Sequence, residues 1–192
     1  MLTVSAYWIQ VSGASVLSIS DIVSGRYGEG TDKTFSDLDD ADEVRQIIHQ
    51  NSAKRVVDEF MLSVTGTKSA LVFPPIIYGQ GRGPTKQRSV QIPELARVAA
   101  QTRTSVRVGR GEATWSNVHI SDVSGLFLKL VERAAACDGD SNLWNRNGLY
   151  FPGVDAMVSG YLSTLCRHSM TDFCRALKTL HKPLRRRHTN LH

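Results

Sequence analysis

The chain has 192 residues, 41% apolar and 21% charged, the balance of an ordinary globular domain with room for one sizeable core. No apolar run approaches a membrane span, and with no Lys or Arg before Arg26 the hydrophobic amino terminus lacks the positive region of a secretory signal. The net charge of +5 comes from the tail: Arg175, Lys178, Lys182, Arg185, Arg186 and Arg187 follow Asp172 with no acid among them, so that without these six cations residues 1–174 carry −1. No aromatic residue interleaves that basic run, which argues for a solvated tail and against nucleic acid as the main partner.

In chain order, Tyr7 to Val11 (YWIQV) reads as a strand ending in a turn of small residues, Ser12, Gly13 and Ala14. Ser24 to Asp42 is rich in Gly, Asp, Ser and Thr without an apolar period, and reads as a surface loop. Its Gly25, Gly28 and Gly30 superficially resemble a phosphate loop, but no strand leads into them and no helix starts at Gly30. Ser52 to Val64 carries Val56, Val57, Phe60, Met61 and Val64 at helical spacing, predicting a helix with those residues inward and Lys54 and Asp58 on its other face.

Ala70 to Phe73 reads as a buried parallel strand with Pro74 and Pro75 at its carboxyl end, followed by Tyr78 and a glycine-rich loop through Gly83. Ligands of open α/β sheets bind just outside such strand ends, so this segment points at a site. Ile92 to Ala100 predicts a short helix with Pro93 in its first turn and Leu95, Val98 and Ala99 inward. Ser105 to Val108 and Thr114 to Ile120 read as strands. Ser121 is the expected N-cap of a helix that buries Val123, Leu126, Phe127, Leu130, Val131 and Ala134. Leu149 to Phe151 is a last strand, closed by Pro152 and Gly153. The alternation predicts an α/β fold: an incomplete Rossmann-like parallel sheet flanked by helices, with part of a small substrate-binding subdomain. Cys137, Cys166 and Cys174, odd in number and without metal-like spacing, fit reduced thiols in a cytoplasmic setting and predict no metal site.

The order strand-VSGAS, helix with Lys54, strand-PPIIYG and WSNVHISDV resembles the carboxyl-terminal part of the extended or atypical short-chain dehydrogenases, the NAD-dependent epimerase/dehydratase group. The resemblance runs from Tyr7 to Pro152, about three quarters of the chain. Its most specific pieces are Phe73 to Gly79, with Pro74 in register, and Trp115 to Val123. It implies an NAD(P)-dependent oxidoreductase or epimerase-like protein acting on a small molecule, with NAD or NADP as cofactor.

In that family a Ser or Thr orients the substrate, a Tyr moves the proton, and a Lys lowers the Tyr pKa and holds the nicotinamide ribose. The resemblance places Gly13 at the usual hydroxyl position with Ser12 and Ser15 beside it, Lys54 at the lysine and Gln50 at the tyrosine. It thus implies catalytic roles for Lys54, Ser12 and Ser15, cofactor contacts from Lys54, Pro74, Tyr78 and Gly13, and substrate contacts from Tyr78, Arg82, Arg88 and Trp115. A Gln cannot act as a phenolic acid or base. Tyr78 is then either a substitute donor or a packed aromatic, Lys54 either the family lysine or an exposed partner of Asp58, and Arg82, Lys86 and Arg88 either a site for an anionic or polyol substrate or solvated charges. His49 and His119 read as structural.

The family's glycine fingerprint belongs to a half that precedes the segment matching Tyr7, so the resemblance implies a chain truncated at both ends, in a gene model or variant, with impaired cofactor binding. The expected division is a partial NAD(P)-binding domain over 1–152 and a poorly ordered or weakly helical basic tail over 153–192. The alternative is a non-catalytic α/β fragment that depends on a partner or self-associates through an uncovered sheet edge.

Overall fold

A computed structural model describes residues 6–104 and 107–158. The expected weak helix at Met170 to Leu180, Cys166, Cys174 and the basic tail lie outside them. The fold is α/β, a small parallel sheet flanked by helices in a partial Rossmann-like arrangement, with a second small sheet beside it.

Strand β1 (Ala6–Val11) is followed by a 3-10 turn (Ala14–Ser18) and helix α1 (Ile19–Ser24). Helices α2 (Ala41–Gln50) and α3 (Val56–Ser63) lead to β2 (Thr67–Val72) and β3 (Ile76–Tyr78). Then come α4 (Gln91–Thr102), β4 (Thr114–His119), α5 (Ile120–Ala135), β5 (Leu149–Tyr150) and β6 (Asp155–Val158). The first sheet has the order β1-β2-β5, all parallel. In the second, β3 and β4 are parallel and β6 runs antiparallel to β4.

Strand β2 is the centre of the molecule because side chains alternate across it and both of its faces are covered. Leu71 and the following Phe73 join Val16, Val44, Ile48, Met61 and Leu149 on the side of α2 and α3. Ala70 and Val72 join Leu130, Trp144 and Tyr150 on the side of α5. The buried Trp144 indole donates to the Asp138 carbonyl at 2.8 Å and meets the Tyr7 ring edge-on at 4.9 Å.

The structure departs from the sequence expectations at several points. Helix α3 begins at Val56 and turns the other way: Asp58 and Met61 are buried, whereas Val56, Val57 and Phe60 are exposed. The reason is an ion pair, since Arg55 meets Asp58 at 3.4 Å and makes the carboxylate tolerable inside. In α4 the fully buried residues are Ile92, Ala96 and Ala99, with Leu95 and Val98 only half-buried. The N-cap of α5 is His119, whose ring accepts from the Ser121 backbone N–H, and Val131 of α5 is exposed. Residues 107 and 108 form loop, with 105 and 106 outside the described residues. Gly28 of the 24–42 loop serves packing: a Cβ there (φ +81°) would lie 1.9 Å from the Val108 carbonyl, and one on the facing Gly109 2.2 Å from that of Tyr27. Described structure also continues past Pro152 into β6.

Burial, with the carboxylates of Asp37 and Asp140 adding to it, pushes the Tyr150 phenol far above its ordinary value. Its hydroxyl donates to the Leu143 carbonyl at 2.7 Å. Because the folded state holds this proton more tightly than the unfolded state, the contribution is whole below pH about 10 and is lost as pH climbs towards the folded value. Denaturation midpoints measured across this alkaline range are expected to fall, and Tyr150→Phe to flatten the fall.

Candidate functional site

Three chain segments leave the parallel sheet side by side at the carboxyl ends of its strands. Val11 and Val72 are register partners, and the Ser12 N–H donates to the Val72 carbonyl at 2.8 Å, which pins the first turn to β2. The Phe73 N–H donates to the Tyr150 carbonyl at 2.9 Å, which ties the Pro74 segment to β5. The carboxyl edge of such a sheet is where nucleotides and substrates bind in folds of this type.

At the first of these turns Gly13 and Ser15 are exposed, and the Gly13 carbonyl accepts from the Val16 N–H at 3.2 Å. The guanidinium of Arg55 closes the turn from below, donating to Ser15 Oγ at 2.9 Å and to the Gly13 carbonyl at 3.4 Å while it pairs with Asp58. Arg55 is mostly buried and Asp58 almost wholly so. Asp58 lies in the first turn of α3, where the helix dipole also favours a carboxylate.

The second segment carries buried Pro74 and then β3. Tyr78 is buried and meets the His119 ring edge-on at 5.2 Å. Burial, and then the carboxylate of Asp122, raises the Tyr78 pKa, so at neutral pH the phenol is a proton donor and not a base. Gly79 has φ +96°, and a Cβ there would lie 2.3 Å from His119 Nε2, so only glycine fits. His119 Nδ1 lies 2.7 Å from Ser121 Oγ at the start of α5. Beyond Gly79 a cavity of about 290 Å³ is walled by Pro75, Ile77, Val90 and Ile120, with Lys86 and Arg88 at its margin.

The structure thus gathers Ser12, Gly13 and Ser15 in one turn, sets Pro74 on the adjacent strand end, and places Arg88 on the cavity, whereas Tyr78, between the lining residues Ile77 and Gly79, packs against His119 instead. Other residues that the resemblance singles out stand apart. Lys54 is exposed in the connection between α2 and α3, and Gln50 is exposed at the end of α2. Arg82 is exposed in the loop after Tyr78 without lining the cavity, and Trp115 is 41% exposed on β4, opposite Met157. His49 Nδ1 pairs with Glu59 at 2.9 Å. The Arg55–Asp58 pair is what sequence reasoning missed, and a signal was present: an acid at position 58 amid the apolar residues of VVDEFM, with an arginine three positions earlier.

The Ser12–Ser15 turn offers an exposed hydroxyl and open backbone, and the Pro74 segment an apolar surface beside it. Of the glycines at 25, 28 and 30, Gly28 is committed to the crossing with Val108 and Gly109. Among the described residues no three His, Cys, Asp or Glu side chains gather as a metal site, and no helix is long and apolar enough to cross a membrane.

An oxidase is similar to this chain. Over 154 residues, 76% of the chain, it is 30% identical to the oxidase ucsJ of Acremonium sp., and it spans 44% of that protein's length. No family model matches.

Removing the Asp58 carboxylate leaves the Arg55 charge largely buried without its partner. Asp58→Ala is expected to lower unfolding free energy by about 3 kcal/mol in urea denaturation, since breaking a buried pair costs far more than losing a surface one. An effect no larger than that of Glu43→Ala, whose partner Lys33 is exposed, would contradict the described packing.

Proposed function

We propose that this chain contributes the nicotinamide- and substrate-facing residues of an NAD(P)-dependent oxidoreductase or epimerase-like protein of the extended short-chain dehydrogenase type. The observation that carries the reading is the adjacent exit of the Ser12–Ser15 turn and the Pro74–Tyr78 segment from the carboxyl ends of paired parallel strands. The likeness to a protein called an oxidase supports the same class.

Bound NAD or NADP would supply or take a hydride at the nicotinamide ring. Ser15, with Ser12 beside it, would hold the substrate oxygen, Gly13 would let the ring approach the backbone, and Pro74 would wall the ring. Tyr78, held as a neutral phenol, suits a donor to a ligand oxygen. Lys86 and Arg88 favour a small anionic or polyol substrate in the cavity. Nothing in the site favours nucleic acid or a membrane surface, and the cytoplasm is the proposed setting.

A second reading rests on a different observation. In the β1-β2-β5 sheet the outer edge of β1 has no partner among the described residues, and Trp8, Val57 and Phe60 are exposed, with the Trp8 and Phe60 rings 6.0 Å apart. Such a surface suits self-association or a partner protein.

Fluorescence titration with reduced nicotinamide mononucleotide, NADH and NADPH separates these readings. Binding near millimolar, about −4 kcal/mol, with the mononucleotide nearly as good as the dinucleotides, is expected if only the nicotinamide end is served. No binding of any nicotinamide, with dimers or larger species in sedimentation velocity, would favour the partner-dependent reading.

A further inference from the structure

The cation that reaches the Ser12–Ser15 turn is not the residue to which the resemblance assigns the task. We infer that Arg55, held by Asp58, is the positioning residue of this turn, and that it prepares the Ser15 hydroxyl to donate to a carbonyl or carboxylate oxygen of a bound ligand. The inference rests on the proposed nicotinamide site for the identity of the ligand, and on the geometry of the turn alone for the role of Arg55.

A guanidinium only donates, so at the Arg55–Ser15 contact of 2.9 Å the serine oxygen is the acceptor. Its own proton then points to another acceptor, and the charged donor behind it polarises the hydroxyl and strengthens the next bond in the chain. Ser15 is exposed while Arg55 is mostly buried, so a ligand meets the hydroxyl and not the guanidinium. The second contact, to the Gly13 carbonyl, holds the backbone of the turn. Asp58 fixes the guanidinium from the opposite side and supplies the charge that lets it stay buried.

Lys54 is exposed one residue earlier, and a lysine at position 55 would not reproduce the contact: an ammonium is a point charge, whereas here one planar group serves a hydroxyl, a carbonyl and a carboxylate together.

The test uses the full chain with Arg55→Ala, Arg55→Lys and Lys54→Ala, and two readouts. Amide hydrogen exchange at Ser12 and Val16, whose N–H groups bond Val72 and Gly13, reports the turn without any ligand. Titration with reduced nicotinamide mononucleotide reports the site. Arg55→Ala is expected to speed exchange at both amides and to weaken binding about tenfold or more. Added guanidinium ion, well below denaturing concentration, is expected to restore binding where ammonium does not. Arg55→Lys should recover less than half of the loss, and Lys54→Ala should stay within about twofold of the parent chain. Wild-type exchange and binding in Arg55→Ala, or a loss in Lys54→Ala that matches it, overturns the assignment. If the parent chain binds no nicotinamide yet Arg55→Ala still loosens the two amides, the cofactor reading fails and the positioning role stands.

Discussion

The parallel pairing of β1 with β2 is the constraint on which the site depends. Six consecutive register pairs, from Ala6 with Thr67 to Val11 with Val72, end the two strands at the same level. Two loops far apart in sequence must therefore leave the sheet as neighbours, and a crevice at that edge follows from the register itself. The register is firm because β2 is covered on both faces, by α2 and α3 on one side and by α5 with Trp144 on the other. A slip by one residue would exchange Leu71 and Phe73 for Ala70 and Val72 and leave both cores misfilled.

The polar network beneath the first turn sets the orientation of α3. Burying Asp58 with Arg55 aims that side of the helix at the Ser12–Ser15 turn, and it leaves Val56, Val57 and Phe60 facing outward. Hydrophobic burial alone would rotate the helix the other way, since one exposed Phe side chain forfeits roughly 1.5–3 kcal/mol of burial. The helix thus places a charged pair beneath the Ser12–Ser15 turn and leaves an apolar surface beside the edge of β1 that has no partner among the described residues. The geometry of the turn and the exposed apolar face of α3 have one origin.

This same helix shows where sequence reading succeeds and where it stops. Strands β1, β2 and β4 and helices α4 and α5 are legible because their local patterns agree with their surroundings: an apolar run closed by prolines, a Pro in a first turn, a long apolar period after Ser121. The face of α3 is not legible from hydrophobic periodicity, because an ion pair decides it. Helix α2 hides behind a loop rich in Asp and Ser and has only Val44, Ile47 and Ile48 to mark its period. Strands β3 and β6, of three and four residues, owe their existence to pairing with β4, a partner that no local window contains. For the site, the Ser12–Ser15 turn and the Pro74 segment were visible as small-residue and proline breaks after strands, whereas the role of Arg55 appears only once α3 is laid against the turn.

We propose that a nicotinamide ring and its substrate meet at the carboxyl edge of the parallel sheet. The decisive experiment is amide chemical-shift mapping of the labelled full chain with saturating reduced nicotinamide mononucleotide. Shifts are expected to concentrate at Ser12 to Val16, Arg55, Phe73 and Ile76 to Gly79. Shifts centred on the crossing of Gly28 with Val108 and Gly109, or spread along Trp8, Val57 and Phe60 with the strand ends unmoved, would contradict it.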